Sequence, residues 1–151
     1  MYRRRKPPVL LIIALAVILL LLFYIRVLLS PGHAAESVVD DFYHYEARGD
    51  YGNSWALLHP SMKERWPKGV FMQDRVHVFI GHFGADTFDY SIEGGDKLRK
   101  WRAAPGLTLK SVYEFQVTQR YKGKYGTFRF VQDVYAVKEK GEWRVLWDYK
   151  E

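Results

Sequence analysis

The chain has 151 residues, with 23 Lys and Arg against 17 Asp and Glu, and no cysteine. The length allows one membrane segment plus one domain, and without thiols there are no disulfides, thiolate metal sites or cysteine nucleophiles. The formal charge of +6 is concentrated at the front: Arg3, Arg4, Arg5, Lys6 and Arg26 hold five of the basic residues, leaving 18 basic against 17 acidic in residues 36–151. A nucleic-acid binder carries its basic excess in the domain itself, so nucleic acid is not an expected partner.

Val9–Leu29 reads VLLIIALAVILLLLFYIRVLL, with 17 apolar residues in a row from Val9 to Ile25 and Arg26 as the one interruption. As a helix it is about 31 Å long, close to the thickness of a bilayer core. The reading is a basic tail (1–8), a transmembrane signal anchor (9–29), a linker (30–35) and an extracytoplasmic domain (36–151). Arg3–Lys6 keeps the N-terminus in the cytoplasm, placing the anchor in the plasma (inner) membrane as a single span. Arg26 is near enough to the far interface to snorkel. The competing reading is a cleaved signal peptide, with small residues at Gly32–Ala35; the apolar run is longer than a usual signal core.

After the anchor, Ser30-Pro31-Gly32-His33 reads as a break. Glu36–Arg48 places Val38, Val39, Phe42 and Tyr45 at helical spacing, with Glu36, Asp40, Asp41 and Glu46 on the other face, and Gly49 as the stop. Asp50 reads as the N-cap of a helix over Tyr51–Leu58, with Trp55 and Leu58 inward. Pro60 ends it, and Ser61 caps a turn through Met62–Trp66. Lys68–Phe83 is a further helix, closed by Gly84, with Val70, Phe71, Val78 and Phe79 inward. The second half switches to period two: a strand over Asp86–Ile92, a turn at Glu93–Asp96, an ambiguous Lys97–Trp101 and a break at Pro105-Gly106. Strands over Leu109–Lys122, Thr127–Val137 and Trp143–Tyr149 follow, with turns at Gly123–Gly126 and Lys138–Glu142. Helices first and antiparallel strands second give an α+β fold. Residues 36–151 hold 22 aromatic residues, enough to fill a core.

Val38-Val39-Asp40-Asp41-Phe42-Tyr43, Arg48-Gly49-Asp50-Tyr51, Trp55–Pro60 and the closing Gly141–Asp148 (GEWRVLWD) resemble the NTF2-like superfamily, a cone-shaped α+β (cystatin-like) fold. The resemblance implies N-terminal helices packed on a curved antiparallel sheet across residues 36–151. It leaves function open, because one fold hosts unrelated activities. Some members are isomerases or dehydratases that use a carboxylate or His inside the cone. Others are non-catalytic modules of membrane-anchored envelope proteins or secretion machines, and a single anchor with an exported domain resembles these.

Trp55, Tyr90, Phe115, Phe128, Phe130, Trp143 and Trp147 are the candidate pocket lining, with aromatic filling expected over an open catalytic site. Asp133 and Asp148 are the acid–base candidates, each equally placed to be an outward strand residue. Asp40 and His44 stand at i,i+4 and could pair on the surface. His77 and His82 are five apart, off the i,i+4 face, and no His-Glu-x-x-His motif exists, so neither metal nor cofactor is expected. No Ser lies in a nucleophile motif.

Lys97, Arg99, Lys100, Arg102, Lys110, Arg120, Lys122 and Lys124 oppose Glu114 alone within Lys97–Lys124. They read as a surface for anionic partners (lipid headgroups, a wall polymer or an acidic envelope protein), or as a solvated hairpin. Val112, Val131, Tyr135, Val137 and Leu146 place apolar residues on the second sheet face, which predicts a homodimer face. The leading expectation is a non-catalytic envelope binding or assembly module. The alternative is a small-molecule-binding or isomerase/dehydratase-like cone.

Overall fold

The computed structural model of the chain describes residues 9–148. The basic tail (1–8) and Tyr149 lie outside the described residues. Helix α1, Val9–Leu28, is long and apolar enough to cross a membrane, and none of its residues is buried against the rest of the chain.

Helix α2 spans Pro31–Ala47, so the expected linker is helical and only Leu29 and Ser30 separate it from α1. Ser30 and Pro31 are start signals rather than a break: the Ser30 hydroxyl accepts from the His33 amide at 3.2 Å, and Pro31 occupies the first turn, where no amide is needed. Asp50 caps α3, Tyr51–Ala56, as expected, accepting from the Asn53 amide. Helix α4, Pro60–Arg65, is capped by His59, not Ser61: its Nδ1 accepts from the Ser61 amide, and Pro60 opens the helix instead of ending the previous one.

The expected Lys68–Phe83 helix is two pieces. Helix α5, Lys68–Arg75, runs into a π-helical segment, Val76–His82, in which the Phe83 amide bonds back five residues to the Val78 carbonyl. Widening the helix from Val76 onward rotates the faces that follow. Phe71 is buried, whereas Val70, adjacent to it on regular α5, and Val78, in the widened segment, stay exposed, contrary to the expected inward set. Gly84, at φ +62°, closes the segment.

Four antiparallel strands follow in the order β1 (Phe88–Ala104), β2 (Leu107–Gly123), β3 (Gly126–Glu139) and β4 (Glu142–Trp147). The predicted turn at Glu93–Asp96 is a bulge inside one long β1. Gly94 pairs with Phe115 and Asp96 with Glu114, so Gly95 is the extra residue. Gly94 and Gly95 take φ of +97° and +105°, and a Cβ on Gly94 would sit 3.1 Å from the Glu114 carbonyl oxygen. A bulge bends the strand and adds twist. The β4 edge is closed by Leu58, which bridges to Val145 in parallel.

Helix α2 lies across the inner sheet face. Val38, Val39, Phe42 and Tyr43 are buried there against Phe115, Val117, Val134, Ala136 and Val145. Beyond its bulge, the β1–β2 hairpin folds back across the outer face, where Trp101 stacks on Tyr135 at 3.8 Å and 22°. Val112, Tyr135, Val137 and Leu146 are therefore buried within a single chain, and of the expected dimer face only Val131 is exposed.

Candidate functional site

Between α5, the π-helical segment and the sheet lies a cleft of about 320 Å³, walled by Phe71, Arg75, Val78 and Phe79 on the helical side and by Phe130, Gln132 and Trp147 on the sheet, with Trp66 and Asp74 completing it. The aromatic packing beside it is dense. Phe79 stacks on Tyr121 and Tyr121 on Phe128, each at 5.0 Å, while Trp66 lies 5.7 Å from Trp147.

The charged residues lining the cleft are Asp74 and Arg75, and Arg75 is held from behind by a buried carboxylate. Glu46 is buried on the inner side of α2, where its carboxylate meets Arg75 Nε at 3.1 Å and accepts from the Ser54 hydroxyl at 2.5 Å. Burial pushes this carboxyl above its ordinary range, and Arg75 and Ser54 pull it back. The Arg75 guanidinium also lies over the rings of Phe71, Phe79 and Trp147, so one side chain joins the floor of the cleft to its aromatic wall. Next to it the Tyr43 hydroxyl donates to Gln132 Oε1 at 3.0 Å. Burial pushes the Tyr43 phenol well up, so it is a neutral donor at ordinary pH.

The expectation that Glu46 belongs to the polar face of its helix is corrected. Glu46 follows Val39, Phe42 and Tyr43 at seven, four and three residues, which is the buried stripe. That spacing was the available signal for Glu46. Arg75 and Gln132 had none, since a strand Gln and a helix Arg read as solvent residues.

Of the expected pocket residues, only Phe130 and Trp147 line the cleft. Phe115 is buried in the core beneath Gly95. Trp55 donates to the Trp66 carbonyl at 2.8 Å, Tyr90 donates to Asp40 Oδ1 at 2.8 Å, and Phe128 packs on Phe83. Trp143 stands elsewhere, edge-on to Tyr113. Asp40 thus pairs with Tyr90 and not with His44. Asp133 is exposed and accepts from Gln116, and Asp148 is exposed.

His77 and His82 do meet, with Nε2 atoms 2.9 Å apart, because a π turn brings residues five apart together. Among the described residues no group of three or more His, Cys, Asp or Glu is placed to hold a metal ion.

The eight basic residues do not form one surface. Lys97, Arg99, Lys100, Arg102 and Lys110 lie on the folded-back half of the β1–β2 hairpin, while Arg120, Lys122 and Lys124 lie toward the β2–β3 turn. Lys110 and Arg120 are ten strand residues apart, about 33 Å of extended chain.

No protein-family model matches the chain, and no curated protein matches it.

Proposed function

We propose that the chain is a single-pass protein of the plasma (inner) membrane of a bacterial cell, carrying a non-catalytic NTF2-like binding domain outside the cytoplasm. The anchor reading is supported by the apolar, wholly unburied surface of α1 and by Arg3–Lys6 ahead of it. The NTF2-like reading is supported by helices preceding a bent antiparallel sheet that wraps a helix. In this reading the cleft receives an apolar side chain of an envelope protein.

The observation that carries the binding reading is the exposed apolar rim of the cleft. Val78 and Phe130 are apolar yet exposed at the rim, so covering them is favourable. Behind Arg75, the Glu46 carboxylate is already held by Arg75 and Ser54, which leaves it no free role as a base. The polar side chains that line the cleft among its apolar ones, Asp74, Arg75 and Gln132, favour the second reading, a small-molecule or isomerase/dehydratase-like cone.

The test is site-specific photocrosslinking in intact cells, with a crosslinking phenylalanine analogue at Phe130. The expected result is a discrete protein adduct that disappears when Val78→Glu is added. A probe at Tyr125, 82% exposed at the β2–β3 turn, should not form it. An adduct that persists with Val78→Glu, or forms equally from Tyr125, overturns cleft docking. No protein adduct, together with stabilisation of the purified protein by small apolar ligands, favours the second reading.

A further inference from the structure

A second concavity, of about 330 Å³, opens where the apolar helix ends. One wall is Leu29, Pro31 and Ala34, from the junction of α1 and α2. The rest is strand: Lys97 of β1, Lys110, Ser111 and Tyr113 of β2, and Lys138 with Trp143 from the β3–β4 hairpin. The three lysines come from three different strands, and no carboxylate lines the notch. Neither ion pair found among the described residues involves them. Lys97 Nζ lies 5.8 Å from the centre of the Tyr113 ring, and Trp143 stands edge-on to that ring at 5.7 Å.

Two backbone devices build this arrangement. The Gly95 bulge lies beside the Phe115–Glu114 step of β2, and Ser111, at φ +55°, lies opposite Arg99, between the Leu98–Val112 and Lys100–Lys110 pairs; these two irregularities bracket the Lys97–Tyr113 pair and set Lys97 and Lys110 around Tyr113. Gly32, in the first turn of α2, lies in contact range of Tyr113, where a Cβ would sit 3.5 Å from the ring. The start of α2, and with it the end of α1, is thereby seated on the sheet. Arg26 lines a neighbouring groove that shares Leu29 and Pro31 with the notch, adding a cation on the α1 side.

We infer that Lys97, Lys110 and Lys138 form a site for the phosphate-bearing headgroup of an anionic membrane lipid. The inference rests on the reading that α1 crosses a membrane. Leu29 then ends the hydrocarbon-facing segment, and the notch stands at headgroup level, where Trp and Tyr sit favourably. Like charges gathered without a counter-charge repel, and a lipid phosphate at this depth relieves that repulsion. Its acyl chains would continue along α1. The apolar wall at Leu29 suits a lipid, whose chains it can meet, better than a free anion.

The test uses full-length protein in detergent, with native mass spectrometry counting retained phosphatidylglycerol against phosphatidylcholine. Wild type should retain one phosphatidylglycerol in preference. Loss of each lysine should weaken retention about fivefold, so Lys97→Gln/Lys110→Gln/Lys138→Gln should lower it about a hundredfold. Lys122→Gln/Lys124→Gln, at the far end of β2, should not change it. Equal retention by wild type and the triple variant, or no preference over phosphatidylcholine, overturns the site. Displacement of the lipid by millimolar inorganic phosphate identifies a free-anion site and overturns the lipid assignment. Alkaline extraction of membranes tests the underlying reading separately. A chain released from membranes sinks both readings, whereas an integral chain whose triple variant still holds the lipid sinks the site alone.

Discussion

Trp101 of β1 lies face to face on Tyr135 of β3, with ring centres 3.8 Å apart, although β2 runs between their strands. Trp101 pairs with Leu109, whereas Tyr135 pairs with Glu114. The two partners are five residues apart along β2, about 17 Å of extended strand. Only a hairpin folded back over the outer face brings the rings together. That fold covers the sheet surface that would otherwise be free for a second chain. Trp101→Ala removes the covering ring and should cost about 3 kcal/mol. Urea unfolding of the domain measures it, and a loss under about 1 kcal/mol would mean the stack is not what holds the hairpin down.

The Glu46–Arg75 pair should behave as a buried charge pair with one better-solvated partner. Arg75→Met strands the Glu46 carboxylate in the core and should cost about 3 kcal/mol or more. Glu46→Leu should cost less, because Arg75 is 22% exposed and still reaches water. The double variant Glu46→Leu/Arg75→Met should recover most of the loss, since an apolar pair of similar volume avoids desolvating either charge. A double-mutant cycle decides the matter: additive losses would show that the two residues do not act as a pair.

Gly123 is required by space, not by backbone angle. A Cβ there would lie 2.5 Å from the Phe83 carbonyl oxygen, and that same carbonyl accepts from the Lys124 amide at 3.0 Å. Gly123→Ala must therefore push the end of the π-helical segment off the sheet. The expected cost is about 1–3 kcal/mol, with faster amide exchange at Lys124 as the local sign. Unchanged exchange there would show that the contact is not made.

His59 gives the fold a dependence on acid. Its imidazole is buried and caps α4 as a neutral acceptor, and burial holds its pKa below the ordinary value, although Glu139 and Glu64 partly offset this. The unfolded chain binds the proton first, so stability falls as pH drops through about 6.5 toward the lower folded value. In His59→Asn, a non-titrating residue that also serves as an N-cap, that slope should vanish. Urea midpoints of both proteins between about pH 7 and pH 5 check this, and parallel curves would refute it.

Much of the domain's outline is determined by sequence alone. The 17-residue apolar run, the caps at Asp50 and Gly84, the alternation in β2 and β3 and the Lys140-Gly141 turn are local properties, governed by side-chain period and backbone angle within a few residues. Glu46 was legible too, because its spacing from Val39, Phe42 and Tyr43 is itself local. What needed the tertiary structure is everything set by a bend or a change of pitch. The Gly94-Gly95 pair reads equally as a turn or a bulge, and only pairing with Phe115 and Glu114 decides for the bulge. The π-helical segment has no local signature in Val76–His82, yet it brings His77 to His82 and leaves Val78 at the rim of the cleft. Trp101 on Tyr135, Arg75 beneath Trp147 and Lys138 beside Lys97 are meetings of residues distant in sequence. Their cost and gain exist only once the chain has closed, so no window of sequence contains them.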